Sequence, residues 1–364
     1  MKGLRRITIK IGSNVLTRDD GTLDITRMSA IVDQVAELYN RGIEIIMVSS
    51  GAITSGRDAM RRFNLQKRLD TVSARQLYSA VGQAKLINRY YDLFRERGIA
   101  CGQVLTMKEN FSTRRHYLNQ KHCMEVMIEN GVIPIVNEND TASVTELMFT
   151  DNDELSGLIA SMMGAKALII LSNVDGVYDG DPSDPSSKVI THIASGTQLD
   201  SDSFIQKSKS TFGRGGMGTK YRIAQKVADE GIHVVIANGK RERILLEIAS
   251  GEHRVPYTRF EAAERPVSPV KKWIAHSEGF AKGTVYVNEG AYAALTSDKA
   301  SSLLPVGVTK VEGEFEKDDI VRIVSPDGTA FAVGRISCDS ERASQVAGKQ
   351  GGRPLIHYDY LYID

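Results

Sequence analysis

Apolar and polar positions alternate in two textures along the chain. From residue 1 to about 250, short fully apolar runs are separated by stretches with helical spacing. The apolar runs Ile7–Ile11, Ile43–Val48, Ile99–Leu105, Val132–Val136, Ala167–Leu171 and Ile232–Ala237 predict strands buried on both faces. Between the first two, Met28, Ile31, Val32, Val35, Leu38 and Tyr39 fall on one face of a helix that should stop at Gly42. Further helical patterns cover about 72–97, 114–130, 153–163 and 217–230. This alternation predicts an α/β fold, a three-layer α/β/α sandwich around a mostly parallel sheet. Ligands in such folds bind beyond the carboxyl ends of the strands.

From about residue 270 the texture changes. "GTVYVNEGAYAAL", "GVTKVEGEFEKDDIVRIVSPDG" and "TAFAVGRISCDS" read as short strands separated by Gly, Pro and Asp turns, a small β-rich C-terminal domain. The expected organisation is a catalytic domain over 1–255, a linker over 256–270 containing Pro256, Pro266 and Pro269, the β-rich domain over 271–355, and a tail over 356–364. The polar segment 195–212 reads equally as a mobile flap over a site or as a long surface loop.

Composition narrows the class. With 364 residues, two domains are expected. A formal net charge of +1 gives no global field for nucleic acid or membrane. Cys101, Cys123 and Cys338 are too dispersed for a disulfide framework or a zinc site, which suits a reducing compartment. No signal peptide and no membrane span is expected, so the location reads as cytoplasmic.

The candidate chemistry gathers at strand ends. Lys10 lies inside the first apolar strand, where a lysine needs an anion or a carboxylate. Gly12, Ser13 and Asn14 follow it, a turn that fits either a phosphate-binding loop or an ordinary exit from the strand. The second strand runs into Ser49, Ser50, Gly51 and Ala52, small enough for a ligand to approach or for tight packing. "FGRGGMGTK" holds a G-x-G-x-x-G match at Gly213, Gly215 and Gly218, but no strand precedes it directly and no acid ends the next strand. The order Gly218-Thr219-Lys220 is not a Walker A loop. What remains is a glycine-rich stretch with Arg214 and Lys220 opening a helix, suited to a polyphosphate. Asn137, Glu138, Asn139 and Asp140 follow the fourth strand, and Asp151, Asn152 and Asp153 precede a helix. Acids at a helix start are often only caps. The density here also suits positioning the lysines and gripping an amino acid. No H-E-x-x-H, G-x-S-x-G or calcium-loop spacing occurs, and no protein-bound metal is expected.

In that order, "KIGSNVL", "VSSGAITSGR", "IPIVNEND", "TDNDELSGLIA" and "GRGGMGTK" resemble the glutamate 5-kinase family of the amino acid kinase superfamily, and "SSLLPVGVTKVEGEF" resembles a PUA domain. The resemblance covers essentially the whole chain. It implies the amino acid kinase fold with a C-terminal PUA domain, and transfer of phosphate from ATP, with Mg²⁺, to the side-chain carboxylate of L-glutamate, the first step toward proline. It also implies a homo-oligomer (dimer or tetramer), feedback inhibition by proline, and delivery of the product to glutamyl phosphate reductase. By position, Lys10 and Lys220 would contact the transferring phosphoryl group, and Asp153 would orient them. Gly12, Ser13 and Gly51 would line the phosphate path. Ser50, Gly51, Asn137, Asp140 and Asn152 would hold glutamate. Ser172 and Asn173, with Arg214, Gly215, Gly216, Met217, Gly218, Thr219 and Lys220, would contact ATP. Ser172-Asn173 stands where the family commonly has Thr-Asp, which removes an acid from the nucleotide contact and leaves the phosphate chemistry intact.

Three other readings compete. A sister kinase on N-acetylglutamate would not need an acid such as Asp140 for an acylated amine, and a kinase acting on aspartate is the other variant. An RNA-binding PUA protein should be basic, yet residues 271–355 hold eleven Lys/Arg and eleven Asp/Glu, so RNA is not an expected partner. A catalytically silent sensor would have no use for Lys10, Asp153 and Lys220.

Overall fold

The computed structural model describes residues 5–62, 69–111, 113–142, 149, 151–182, 184–197, 216–252, 254–264, 268–275, 280–297 and 299–363. The chain divides into two units, Met1–Lys108 with Gln120–Pro266, and Glu109–Asn119 with Val267–Asp364.

The first unit is built on an eight-stranded sheet of β1 (Arg6–Ile11), β2 (Glu44–Ser49), β3 (Ala100–Thr106), β4 (Val132–Glu138), β5 (Ala167–Ser172), β6 (His192–Ile193), β7 (His233–Asn238) and β8 (Thr258–Phe260), in the order β3-β4-β2-β1-β5-β7-β8-β6. All neighbours are parallel except β7 and β8. The chain steps from β1 outward through β2, then returns past β1 to β5. The crevice at the carboxyl ends around β1 is therefore the topological switch point.

Alternation along β1 sorts its side chains to two faces. Ile7, Ile9 and Ile11 join a core with α2 (Ile25–Asn40), α4 (Thr71–Arg95) and α8 (Ile244–Ser250). Thr8 and Lys10 are in register with Leu168 and Ile170 of β5 and share their face. That face is packed by α6 (Asn152–Met162) and α7 (Met217–Asp229) through Ala160, Tyr221, Ile223, Ala224 and Val227. Lys10 thus points into the layer where α6 and α7 begin.

Several elements depart from the sequence expectation. β4 continues through Asn137 and Glu138, because their backbones pair in register with Leu105 and Thr106 of β3. The span 256–270 contains β8, paired with β7 and β6. Helix α3 (Ala52–Arg62) follows β2, where the sequence pattern predicts no helix. It lies against α4 at backbone contact: a Cβ on Gly56 would stand 1.8 Å from Tyr78 O, and one on Gly82 1.8 Å from Ala52 O. Residues 198–212 of the proposed flap lie outside the described residues.

The second unit has a five-stranded sheet, β9 (Gly283–Val287), β10 (Val308–Glu312), β11 (Ile320–Val324), β12 (Ala330–Arg335) and β13 (Leu361–Ile363), in the order β10-β9-β11-β12-β13. Val285, Val321, Ile323, Ile336, Leu355 and Ile356 lie in its core. The span 356–364, expected as a tail, supplies β13, which pairs with β12. The segment 109–119 belongs here too: Trp273 Nε1 donates to Phe111 O at 2.9 Å.

Candidate active site

A cleft of about 910 Å³ opens beyond the carboxyl ends of β1, β2, β4 and β5. At its floor Asp153 lies between two lysines. Lys10 Nζ is 2.6 Å from Asp153 Oδ1, and Lys220 Nζ is 3.0 Å from Oδ2. All three are buried, Asp153 at 1% exposure. Burial pushes the Asp153 carboxyl up, but the ammonium groups of Lys10 and Lys220 outweigh it and hold it below the usual carboxylate range. Asp153 thus serves two cations at once.

Asp151 caps α6: its Oδ1 accepts from Asp153 N at 2.9 Å and Glu154 N at 3.0 Å. Its second oxygen is buried and has no hydrogen-bond partner among the described residues. Burial, reinforced by the Asp153 charge, holds this carboxyl above its ordinary value. Asn152, the first residue of α6, uses its amide to join two other expected residues, donating to Ser50 Oγ at 2.9 Å and Asn137 Oδ1 at 3.2 Å. Ser50, Asn137 and Asn152 therefore form one hydrogen-bonded group, although they come from the ends of β2 and β4 and the start of α6. Gly51 beside them has φ +107°, a conformation that favours glycine.

Asp140 also lines the cleft, but not as a bare acid. Arg75 of α4 donates from Nε to Asp140 Oδ1 at 2.6 Å and from Nη2 to Glu138 Oε2 at 2.8 Å. Ser79 Oγ donates to Asp140 Oδ2 at 3.3 Å, and Gln83 Nε2 donates to Glu138 O at 3.1 Å. Asn137 Nδ2 in turn donates to Gln83 Oε1 at 3.3 Å. Sequence reasoning missed Arg75, Ser79 and Gln83. Their spacing of four residues on one helix is the signal that could have found them.

Along the same cleft wall, the Gly12 N–H donates to Leu171 O at 3.0 Å. What it gives the site is clearance, since a Cβ there would stand 3.1 Å from Leu171 O and 3.6 Å from Lys10 Nζ. Ser13 opens the single turn α1 (Ser13–Leu16) at the cleft wall. Ser172 ends β5 and is buried, with exposed Asn173 next to it. Gly216 precedes α7, so the N–H groups of Met217, Gly218 and Thr219 have no acceptor within the helix, an arrangement suited to anions. Lys220 sits one turn in. Arg214 and Gly215 lie outside the described residues. Just past Asn173, Asp175 accepts a two-pronged Arg241 contact at 2.6 and 2.7 Å, which helps hold its carboxyl below the usual range. Among the described residues, no group of three or more His, Cys, Asp and Glu could hold a metal ion.

The sequence pattern of the amino acid kinase family matches residues 5–238, and that of the PUA domain matches 283–354. The chain is 65% identical to the glutamate 5-kinase of Bacteroides thetaiotaomicron over 99% of this chain and 98% of that one. It is 47% identical to the glutamate 5-kinase of Chlorobaculum tepidum, over 99% and 97%.

The chain belongs to the glutamate 5-kinase family.

A solved carbamate kinase from Giardia lamblia, bound to AMP-PNP, superposes with a TM-score of 0.52 at 15% identity, over 72% of this chain and all of that one. That likeness shows the amino acid kinase fold of the first unit, and the second unit holds the PUA domain of this glutamate 5-kinase family member. No helix among the described residues is long and apolar enough to cross a membrane.

Proposed function

We propose that the chain transfers the γ-phosphoryl group of ATP to the side-chain carboxylate of L-glutamate, giving L-glutamyl 5-phosphate, the step that opens proline biosynthesis. The observation that carries this reading is the buried Lys10–Asp153–Lys220 array at the foot of a cleft walled by Ser50, Asn137, Asp140 and Asn152.

The chemistry asks for these groups and little else. A glutamate carboxylate is ionised at neutral pH, so no general base is needed. One of its oxygens attacks the γ-phosphorus in line, the bond from that phosphorus to the bridging oxygen breaks, and ADP leaves. Lys10 and Lys220 neutralise charge on the moving phosphoryl group, and Asp153 sets the position of both ammonium groups. The α7 amides of Met217, Gly218 and Thr219 would take phosphate oxygens, with Ser13, Ser172 and Asn173 along the same wall. Ser50, Gly51, Asn137 and Asn152 would hold glutamate, and Asp140 with Asp151 Oδ2 would receive its ammonium. With no cluster of metal-binding side chains among the described residues, Mg²⁺ would come with the ATP phosphates and would shield their charge. A cytoplasmic location, a homo-oligomer, inhibition by proline and transfer of product to a reductase belong to the same reading.

Incubation with ATP, Mg²⁺ and hydroxylamine, offering glutamate, N-acetylglutamate and aspartate in parallel, tests it. Glutamate alone should yield a hydroxamate. Hydroxamate from another acid would overturn the substrate, and none from any acid would overturn the reaction.

A further inference from the structure

The stretch "VSSGAITSGR" ends on Arg57, to which the chemistry described so far gives no part. Arg57 sits on α3, and Gly56 before it admits the α4 backbone at Tyr78. That close approach lays the Arg57 guanidinium over the Tyr78 ring, 5.7 Å from its centroid. Tyr78 lies one turn along α4 from Arg75, whose guanidinium holds Asp140. Arg57, Tyr78, Arg75 and Asp140 all line the cleft.

Five Lys and Arg side chains line it among the described residues: Lys10, Arg57, Arg61, Arg75 and Lys220. Lys10 and Lys220 hold Asp153, and Arg75 holds Asp140 and Glu138. Arg61 lies beside Gly21, where its charge acts on Asp20. Arg57 has its ring contact and no ion pair or side-chain hydrogen bond among the described residues. A guanidinium held by a ring face keeps its edge N–H groups for an acceptor, and two of them match a carboxylate.

Glutamate brings such a group. In the reading above, its reacting carboxylate faces the lysines and its ammonium goes to Asp140 and Asp151, while its α-carboxylate has no cation. That carboxylate is bonded to the carbon that bears the ammonium, so its partner must stand close to the acids that receive the ammonium. Arg75 is engaged by two carboxylates, and Arg57 is the next cation along the same wall.

We propose that Arg57 is a specificity-determining residue that receives the α-carboxylate of glutamate. The inference rests on the glutamate-phosphorylating reading and names the group by which that site would select an α-amino acid.

The α-amide of glutamate tests it. This compound keeps the reacting carboxylate and the ammonium, and it carries a neutral group of the same shape in place of the α-carboxylate. Hydroxamate formation by the full chain at saturating ATP gives kcat/KM for both compounds. Where the amide turns over too slowly, its inhibition constant against glutamate gives the comparison. The unaltered chain should prefer glutamate by about tenfold or more. Arg57→Met keeps an apolar stem over Tyr78. It should lower kcat/KM for glutamate about tenfold and leave that for the amide, and the ATP KM, within about twofold. Arg57→Lys keeps the charge without the two-pronged edge and should fall between. Arg61→Met should leave the preference intact.

Equal losses for glutamate and the amide in Arg57→Met would mean that Arg57 only packs the wall, and would overturn the inference. An unmoved preference overturns it too, and assigns the α-carboxylate to the first-turn N–H groups of α3. A collapse as large in Arg61→Met overturns it as well, since a general field and not one contact would then be acting. If Arg57→Met does not fold, Arg57→Gln and Arg57→Lys decide by the same ratio. Should the unaltered chain form no hydroxamate with glutamate, the parent reading falls. Should it do so normally while the Arg57 variants leave the preference unmoved, only this inference falls.

Discussion

Lys10 and Asp153 meet at 2.6 Å because β1 ends where α6 begins, and that contact fixes the position of the Lys10 ammonium group. Lys220 reaches the other oxygen of the same carboxylate. One anion thus sets two cations.

Removal of either cation should strike the chemical step. Lys10→Ala or Lys220→Ala should lower kcat by about 10²–10³-fold while leaving the glutamate KM within a few-fold, since the lost contact forms mainly in the transition state. Steady-state kinetics with both substrates varied checks this. A near-normal kcat in both variants would remove their role.

Asp153→Asn should damage both activity and stability. It leaves two buried ammonium groups without their counter-ion, a loss of about 3–5 kcal/mol. Because the Asp153 carboxyl is held below its ordinary value of 3.8, its stabilising contribution is complete above that value and disappears only as the pH falls through the depressed one. Urea unfolding near neutral pH should therefore show the full deficit, which should shrink in strong acid.

Asp151 has the opposite sign. Its carboxyl is raised by burial and by Asp153, so its effect on folding is favourable at low pH and fades as the pH rises toward the raised value. If Asp151 Oδ2 receives the substrate ammonium, binding needs the ionised form. The glutamate KM should fall as the pH climbs from the ordinary carboxyl value of 3.8 toward neutrality, and Asp151→Asn should flatten that slope at a higher KM. A slope unchanged in Asp151→Asn would assign the titration to another group.

Gly82→Ala tests how the site is held. A Cβ 1.8 Å from Ala52 O must push α3 and α4 apart. Overpacking of this kind costs about 1–3 kcal/mol. Since α4 carries Arg75 and α3 follows Gly51, the glutamate KM should rise with the loss of thermal stability, and the ATP KM much less.

Much of this arrangement was readable from the chain. The six apolar runs became β1, β2, β3, β4, β5 and β7, because strands buried on both faces leave an uninterrupted signal. Lys10 stood out as a charge inside such a run, and the acids and amides from Asn137 to Asp153 marked a strand end. Helix α3 was hidden because Gly51, Ser55 and Gly56 look like turn residues, whereas Gly56 is there to admit the α4 backbone. The Arg75 contact was hidden for a different reason. A polar residue on an amphipathic helix reads as solvent-facing, and its partners lie far along the sequence. That the Gly12 amide is engaged by Leu171 could not be read from the chain, because the partner lies on another strand.

The most direct test of the central claim follows an oxygen atom. Glutamate carrying ¹⁸O in its side-chain carboxylate is turned over with ATP, and the acyl phosphate is trapped with hydroxylamine, which attacks the carbonyl carbon and releases phosphate with the bridging oxygen. One ¹⁸O is expected in each phosphate released if a carboxylate oxygen attacks the γ-phosphorus. Unlabelled phosphate accompanied by ADP would mean that water, and not glutamate, receives the phosphoryl group, and would contradict it.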